Sequence, residues 1–305
     1  MGGMDTTRAT TPGLLLIAHG TRNPDGAVEM ARLVDLLAAR HPAPVGHAWL
    51  EDYAEPDAPT AARALTVAGA DGRVTVPFLV LGAGHATTDV VEAVADVRAA
   101  LPDLAVAHAR VLDLHASLFA LARTRVADGR ERAWGGGPVG DDEALLVTGA
   151  GSSDPDANGD LAKAARFLAE TTGHRWVDIA YAGVTWPTAD GALRRLHAAG
   201  ARRVVRFSWS LLAGLLERRV DDWAGAVAAD TGLEVADAGR FGPDPLVADA
   251  VLDRAGEALA GDARMNCDLC QYRLPLPGRE ERAGAPSAGG TGARVLPEAR
   301  ARWER

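Results

Sequence analysis

Apolar positions along the chain follow two periods that take turns. Residues 14 to 18, LLLIA, form an unbroken apolar run that reads as a buried strand, and after a Gly/Asn/Pro/Asp loop AVEMARLVDLLAAR carries apolar residues at helical spacing. PVGHAWLED, RVTVPFLVL and AVAHARVL read as further strands, separated by the helical patterns APTAARALTVAGA, TTDVVEAVADVRAAL and HASLFALARTRVAD. Strands alternating with helices predict right-handed crossovers and a mostly parallel sheet covered on both faces.

After WGGGPVGDDE, a glycine-rich stretch without periodicity, the pattern starts again. LLLIAHGTRNPDG is echoed by ALLVTGAGSSDPDANG, WLEDYAEPDAPTAARAL by AYAGVTWPTADGALRRL, and VTVPFLVLGAGH by VVRFSWSLLAGL. Paired residues lie 131 apart for His19 and Ala150 and for Pro56 and Pro187, and 129 apart for Phe78 and Phe207 and for His115 and Asp244. Four echoes in one order predict a duplicated α/β unit, each copy a doubly wound sheet. The expected organisation is a disordered start (1 to 12), a first half-domain (13 to 133), a linker (134 to 142), a second half-domain (143 to 262) and a largely disordered tail (263 to 305).

Composition narrows the partners. An apolar fraction of 48% supports a sizeable core, and a net charge of -9 supplies no basic field for nucleic acid. With no apolar run approaching 18 residues and no signal-peptide pattern, neither a membrane span nor export is expected, and a cytoplasmic location follows.

The candidate chemistry sits at strand ends. In open parallel sheets ligands bind outside the carboxyl ends of the strands, and His19 ends the first strand while His85 follows the third. Either histidine alone reads as a capping or core residue; two at matching strand ends read as a pair that binds a divalent metal or takes a proton near neutral pH. The second copy carries Ala150 and Gly214 at what the echoes make the equivalent places, so the fold does not need the imidazoles. His115, matched by Asp244, is expected to cap a helix.

LLLIAHGTRNPDG, VPFLVLGAGHATTDV and the acidic segment WLEDYAEPDAP resemble the sirohydrochlorin chelatases, class II tetrapyrrole chelatases that insert cobalt or ferrous iron during cobalamin or sirohaem synthesis. The resemblance covers residues 13 to 260 and both copies. It implies a lyase that needs no ATP, with His19 and His85 as metal-binding and proton-accepting residues and Co²⁺ or Fe²⁺ as a substrate. It also implies a tetrapyrrole seated between the half-domains. Proton acceptors or recruiters of the ion are sought among Glu51, Asp52, Glu55, Asp89 and Glu92, whose other reading, favoured for Glu92, is a solvated loop or helix-start acid. The ring's carboxylates would meet Arg22 and, from the opposite wall, Arg218 and Arg219, in a chain where arginine supplies all but one of the 32 basic residues.

MNCDLCQYR, residues 265 to 273, resembles a C-terminal extension on some long members of that family. Cys267 and Cys270 offer two thiolates where zinc or an iron-sulfur cluster takes about four ligands. A site shared between two chains, and so a homodimer through the tail, would complete the number; two free thiols is the plainer reading. A non-catalytic metallochaperone or tetrapyrrole-binding protein using the histidine pair and the CxxC tail is the alternative function, and an α/β protein binding an unrelated ligand is a third.

Overall fold

The computed structural model describes residues 11 to 51, 54 to 82, 84 to 262 and 281. The expected disordered ends fall almost wholly outside that set, as do Asp52, Cys267 and Cys270. Among the described residues, no helix is long and apolar enough to cross a membrane.

The first half runs β1 (Gly13–Ala18), α1 (Pro24–Ala38), β2 (Val45–Trp49), α2 (Ala58–Val67), β3 (Gly72–Pro77), a π-helical turn (His85–Asp89) leading into α3 (Val90–Ala100), β4 (Ala105–His108) and α4 (Ala116–Trp134). The second runs β5 (Glu143–Gly149), α5 (Pro155–Thr172), β6 (Trp176–Tyr181), α6 (Ala189–Ala198), β7 (Arg203–Ser208), α7 (Leu215–Thr231), β8 (Glu234–Asp237) and α8 (Pro245–Leu259). Each half holds a parallel four-stranded sheet, ordered β2-β1-β3-β4 and β6-β5-β7-β8. The chain runs outward from β1 to β2 and then crosses to β3 on the other side, so the switch point of the first sheet lies between β1 and β3. The loops after those two strands carry His19 and His85.

Helix starts follow local chemistry. Asn23, Asp57, Asp154 and Asp244 each accept a backbone N–H at the head of a helix with proline in its first turn. His115 caps α4 by accepting from the Ser117 N–H at 3.2 Å, in the role that Asp244 has for α8.

Strand register corrects two of the sequence pairings. Leu14 lies beside Val74 and Leu145 beside Val205, and Phe78 and Trp209 donate equivalent bonds to Ile17 and Thr148, both at 2.7 Å. The counterpart of Phe78 is therefore Trp209, and Phe207 matches Val76. The drift enters later: the buried stripe Val90, Val94, Val97 matches Val220, Ala224, Val227, one residue short of the strand offset. That extra residue is accommodated in the π-helical turn, which α7 lacks. Counted from the strand His85 falls on Leu216, and counted back from the helix on Leu215; Gly214 is not its counterpart.

The two sheets share one core. Leu14 and Leu16 of β1, Val74 and Val76 of β3, Leu145 and Val147 of β5 and Val205 and Phe207 of β7 belong to a single buried cluster, while Leu15 and Ile17 face a separate one beneath α2 and α3. The last helix of each half crosses over: α4 packs on β7 and β8, and α8 on β3 and β4. Gly129 of α4 permits this, since a Cβ there would stand 2.8 Å from the Ala238 Cα. Next to it Arg130 forms a bidentate pair with Glu143 at the start of β5, and His174 Nε2 lies 3.3 Å from the same carboxylate. All three are buried.

This buried group makes the fold acid-sensitive. Burial holds the His174 pKa below its ordinary 6.5 despite Glu143. Burial works to raise the Glu143 pKa, but Arg130 and His174 outweigh it and hold the carboxyl below its usual value. Both folded-state values are depressed, so the unfolded chain takes up protons first and stability falls as pH drops below about 6.5, further below about 4.5. Thermal unfolding is expected to show a melting temperature that declines from pH 7 to pH 5. His174→Gln should flatten that slope; a slope unchanged in the variant would remove His174 from the account.

Candidate metal centre

His19 stands one residue past β1, in the loop that Asn23 closes onto α1, and His85 opens the π-helical turn beyond β3. Because β1 and β3 are hydrogen-bonded neighbours, the two rings meet: their centroids are 4.2 Å apart with planes at 89°. Glu51, two residues past β2 on the other side of β1, reaches His19 Nε2 at 3.4 Å. One ligand atom from each of His19, Glu51 and His85 lies within 4.8 Å of the other two. Tetrahedral ligands about 2.1 Å from a common cation lie about 3.4 Å apart, so the side chains would draw together by at most about 1.4 Å in any pair to share an ion. The side chains of His19 and Glu51 are 42% and 35% exposed and that of His85 32% exposed, open enough for an ion to enter.

The hydrogen bonds select the tautomers. His85 Nδ1 meets Asp89 Oδ2 at 2.5 Å, and His19 Nδ1 meets the Gly20 carbonyl at 3.2 Å. A carbonyl only accepts, as does an ionised carboxylate, so Nδ1 of His85 carries the proton and its Nε2 keeps a lone pair, the arrangement in which a second partner orients a metal-binding imidazole. His19 stands between two acceptors, the Gly20 carbonyl at Nδ1 and Glu51 at Nε2, and a cation between Nε2 and Glu51 would hold its proton on Nδ1. Burial, then the neighbouring His85, lowers the His19 pKa, with Gly20, Glu51 and Asp89 opposing, so the ring is neutral and able to ligate at pH 7.

His19 and Glu51 border a cleft of about 460 Å³ lined by both halves, and His85, in contact with His19, stands just outside that lining. His19, Thr21, Arg22 and Glu51 line one side; Leu212, Leu215, Leu216, Glu217 and Val220 line the other, with Thr148, Arg206, Ser208 and Ser210 also bordering it. Ala150, the counterpart of His19, is there too.

The structure sorts the residues singled out from sequence. It brings His19, His85 and Glu51 together and sets Asp89 behind His85 as its hydrogen-bond partner, a different place from that of a proton acceptor facing the ring. Glu55 and Glu92 are exposed and border neither the centre nor the cleft. Arg22 borders the cleft as expected. Arg218 and Arg219 do not: both are exposed, Arg219 donates to the Ala182 carbonyl at 3.1 Å, and its guanidinium lies 6.0 Å from the Trp223 ring. The second wall carries four apolar side chains and Glu217 where an arginine clamp was expected. The arginine bordering it is Arg206, in strand β7; it is buried, paired with Asp221 at 2.6 Å and Asp237 at 2.8 Å, and its Nη1 has no hydrogen-bond partner among the described residues.

The CbiX family model matches residues 13–129 and again 144–258. The chain is 30% identical over 266 residues to a protein named sirohydrochlorin cobaltochelatase from Priestia megaterium, covering 86% of this chain and 85% of that one. It is 27% identical over 157 residues to the sirohydrochlorin ferrochelatase of Bacillus subtilis, covering 52% of this chain and 58% of that one. Among solved structures it is similar to SirB from Bacillus subtilis with Fe³⁺, at 21% identity and a TM-score of 0.69 over 84% of this chain and all of that one. It is also similar to the SirB chelatase of the subspecies spizizenii in complex with cobalt, with 21% identity and a TM-score of 0.66 over 83% of this chain and 97% of that one.

Asp89 provides a test of the geometry that does not depend on turnover. Asp89→Asn can no longer take the Nδ1 proton as a carboxylate does, and loss of such an orienting partner typically costs about 10- to 100-fold in metal affinity. Titration of the protein with Co²⁺ in the absence of any ring should show a loss in that range, with the melting temperature of the ion-free protein little changed.

Proposed function

The chain belongs to the CbiX family, and on that premise we propose that it inserts a divalent metal into sirohydrochlorin without ATP, at the His19–Glu51–His85 centre. The observation that carries the reading is two imidazoles, each with an acceptor at Nδ1, brought together with the Glu51 carboxylate at the switch point of the first sheet. The reaction is that of a lyase: M²⁺ enters the ring and two pyrrole N–H protons leave.

The residues divide the work as follows. Glu51, His19 and His85 receive the cation, Asp89 holds His85 in register, and Arg22 meets a carboxylate at the ring's edge. As the ion passes from imidazole to pyrrole nitrogen, an Nε2 lone pair is released beside an N–H that has to lose its proton, so the same two imidazoles serve first as ligands and then as bases. Two histidines match two protons. An incomplete donor set holds its ion loosely enough to surrender it, where four closed ligands would retain it.

Nitrogen and carboxylate donors of this kind suit Co²⁺ and Fe²⁺ alike, and which metal is used is set by supply as much as by affinity. In this reading the enzyme is cytoplasmic and Cys267 and Cys270 stand apart from insertion. Two thiolates per chain would hold zinc or an iron-sulfur centre only if two chains shared it. Truncation before Met265 is expected to leave the insertion rate unchanged, with any loss of bound zinc or iron measured on the shortened protein.

The deciding experiment is anaerobic incubation with sirohydrochlorin and Co²⁺ or Fe²⁺, following the ring's absorption. The protein should accelerate insertion without ATP, and His19→Ala with His85→Ala should lower the rate at least about 100-fold, on the order of removing a general base. The variants should stay folded, since Ala150 and leucines stand at the corresponding places of the second half. A rate no faster than spontaneous insertion would instead favour a protein that stores or carries metal.

A further inference from the structure

The loop bearing His19 is fastened to the opposite half. Thr21 Oγ1 donates to the Ala213 carbonyl at 3.1 Å, and the Ala213 N–H donates to Glu29 Oε2 at 2.7 Å. Gly26 allows the close approach, because a Cβ there would stand 2.5 Å from the Ala213 oxygen. Arg240, between β8 and α8, completes the fastening: Nη2 and Nε contact Glu29 at 2.6 and 3.3 Å, while Nη1 contacts Glu217 at 2.9 Å. Glu29 stands on α1, directly behind the His19 loop; Glu217 is in the first turn of α7, where it borders the cleft and accepts from Ser210 at 2.8 Å. One planar guanidinium thus joins α1 of the first half to the α7 residue that borders the cleft.

We propose that Arg240 is a positioning residue that sets the width of the cleft for the tetrapyrrole, by tying Glu29 of the histidine-bearing half to Glu217 on the facing wall. The inference rests on the reading that the ring binds between those walls. Arg240, Glu29 and Glu217 are partly buried, where a bidentate, charge-assisted bridge is stiffer than an exposed pair. A guanidinium suits the place because its fixed fork addresses two carboxylates at once, which an ammonium on a flexible stem does less well. None of the three residues belongs to the metal centre, so the clasp separates ring binding from ion binding.

The experiment compares Arg240→Ala, Arg240→Lys and Glu29→Gln with wild type, reading the KM for sirohydrochlorin, kcat, and Co²⁺ binding without the ring. Arg240→Ala is expected to raise KM about tenfold, equivalent to about 1.4 kcal/mol of lost ring binding, with kcat and Co²⁺ affinity within about twofold of wild type. Arg240→Lys should recover part of that loss and Glu29→Gln should raise KM in the same direction. If Arg240→Ala does not fold, the two milder variants decide. Unchanged KM in the folded variants, alongside wild-type turnover, would overturn the clasp alone. A matching fall in Co²⁺ affinity would also overturn it, by placing the effect at the metal centre. A wild-type protein without turnover would remove the functional reading and the clasp with it.

Discussion

An ion that has to be handed on must be held by ligands that stay in place without it. Here that constraint is met at Nδ1 of each histidine. The Asp89 carboxylate fixes which nitrogen of His85 carries the proton, and the Gly20 carbonyl gives the proton of His19 a place at Nδ1 once a cation sits between Nε2 and Glu51. Ring contact at 4.2 Å then limits how far either imidazole can turn. The lowered basicity of His19, caused first by burial, belongs to the same arrangement: a ring that stays neutral at pH 7 does not have to shed a proton before it binds metal.

The backbone supplies this geometry through the strand order. A 2-1-3-4 sheet places the ends of β1 and β3 side by side at its switch point. Neighbouring strands alone would still leave the helix after β3 free to choose its phase. The one-residue insertion in the π-helical turn settles that phase, because it comes before Val90, Val94 and Val97 lock the helix onto the sheet. With His85 at its first residue and Asp89 at its last, the turn brings the imidazole and its acceptor together while the buried face of α3 stays in register. The second half, lacking the extra residue, starts its helix with leucines at that place and forms no such centre.

Much of this is legible in the sequence, and the remainder is hidden for identifiable reasons. The unbroken apolar runs of parallel strands, the repeat, and an imidazole at each of two strand ends are local signals. Glu51 is visible only as one acid among five, since nothing in WLEDYAEPDAP marks which carboxylate turns toward His19. Pairing Phe78 with Phe207 is two residues out of the strand register and carries on to put Gly214 opposite His85, while the π-helical turn leaves no trace in an apolar pattern that continues after it with the usual period. Arg218 and Arg219 look like a clamp by composition, but helix phase turns Leu216, Glu217 and Val220 into the cleft in their stead. Arg206 escapes notice in a strand that reads as apolar, and Arg240 meets Glu29 across 211 residues of chain, a separation with no local signature.

The asymmetry of the two walls fits the ring proposed to bind between them. A tetrapyrrole is a disc with apolar faces and a rim of carboxylates, and insertion needs the ion to approach one face only. Two opposed histidine centres would hold an ion on each side of the ring and compete for its nitrogens. With Ala150 and Leu216 at the corresponding places the second half offers no competing imidazole, and Leu212, Leu215, Leu216 and Val220, beside Glu217, give apolar surface for the other face. A centre in one half alone would therefore give the cleft a direction. The shared core beneath α4 and α8, by holding the sheets as one body, keeps the apolar wall opposite the centre it serves.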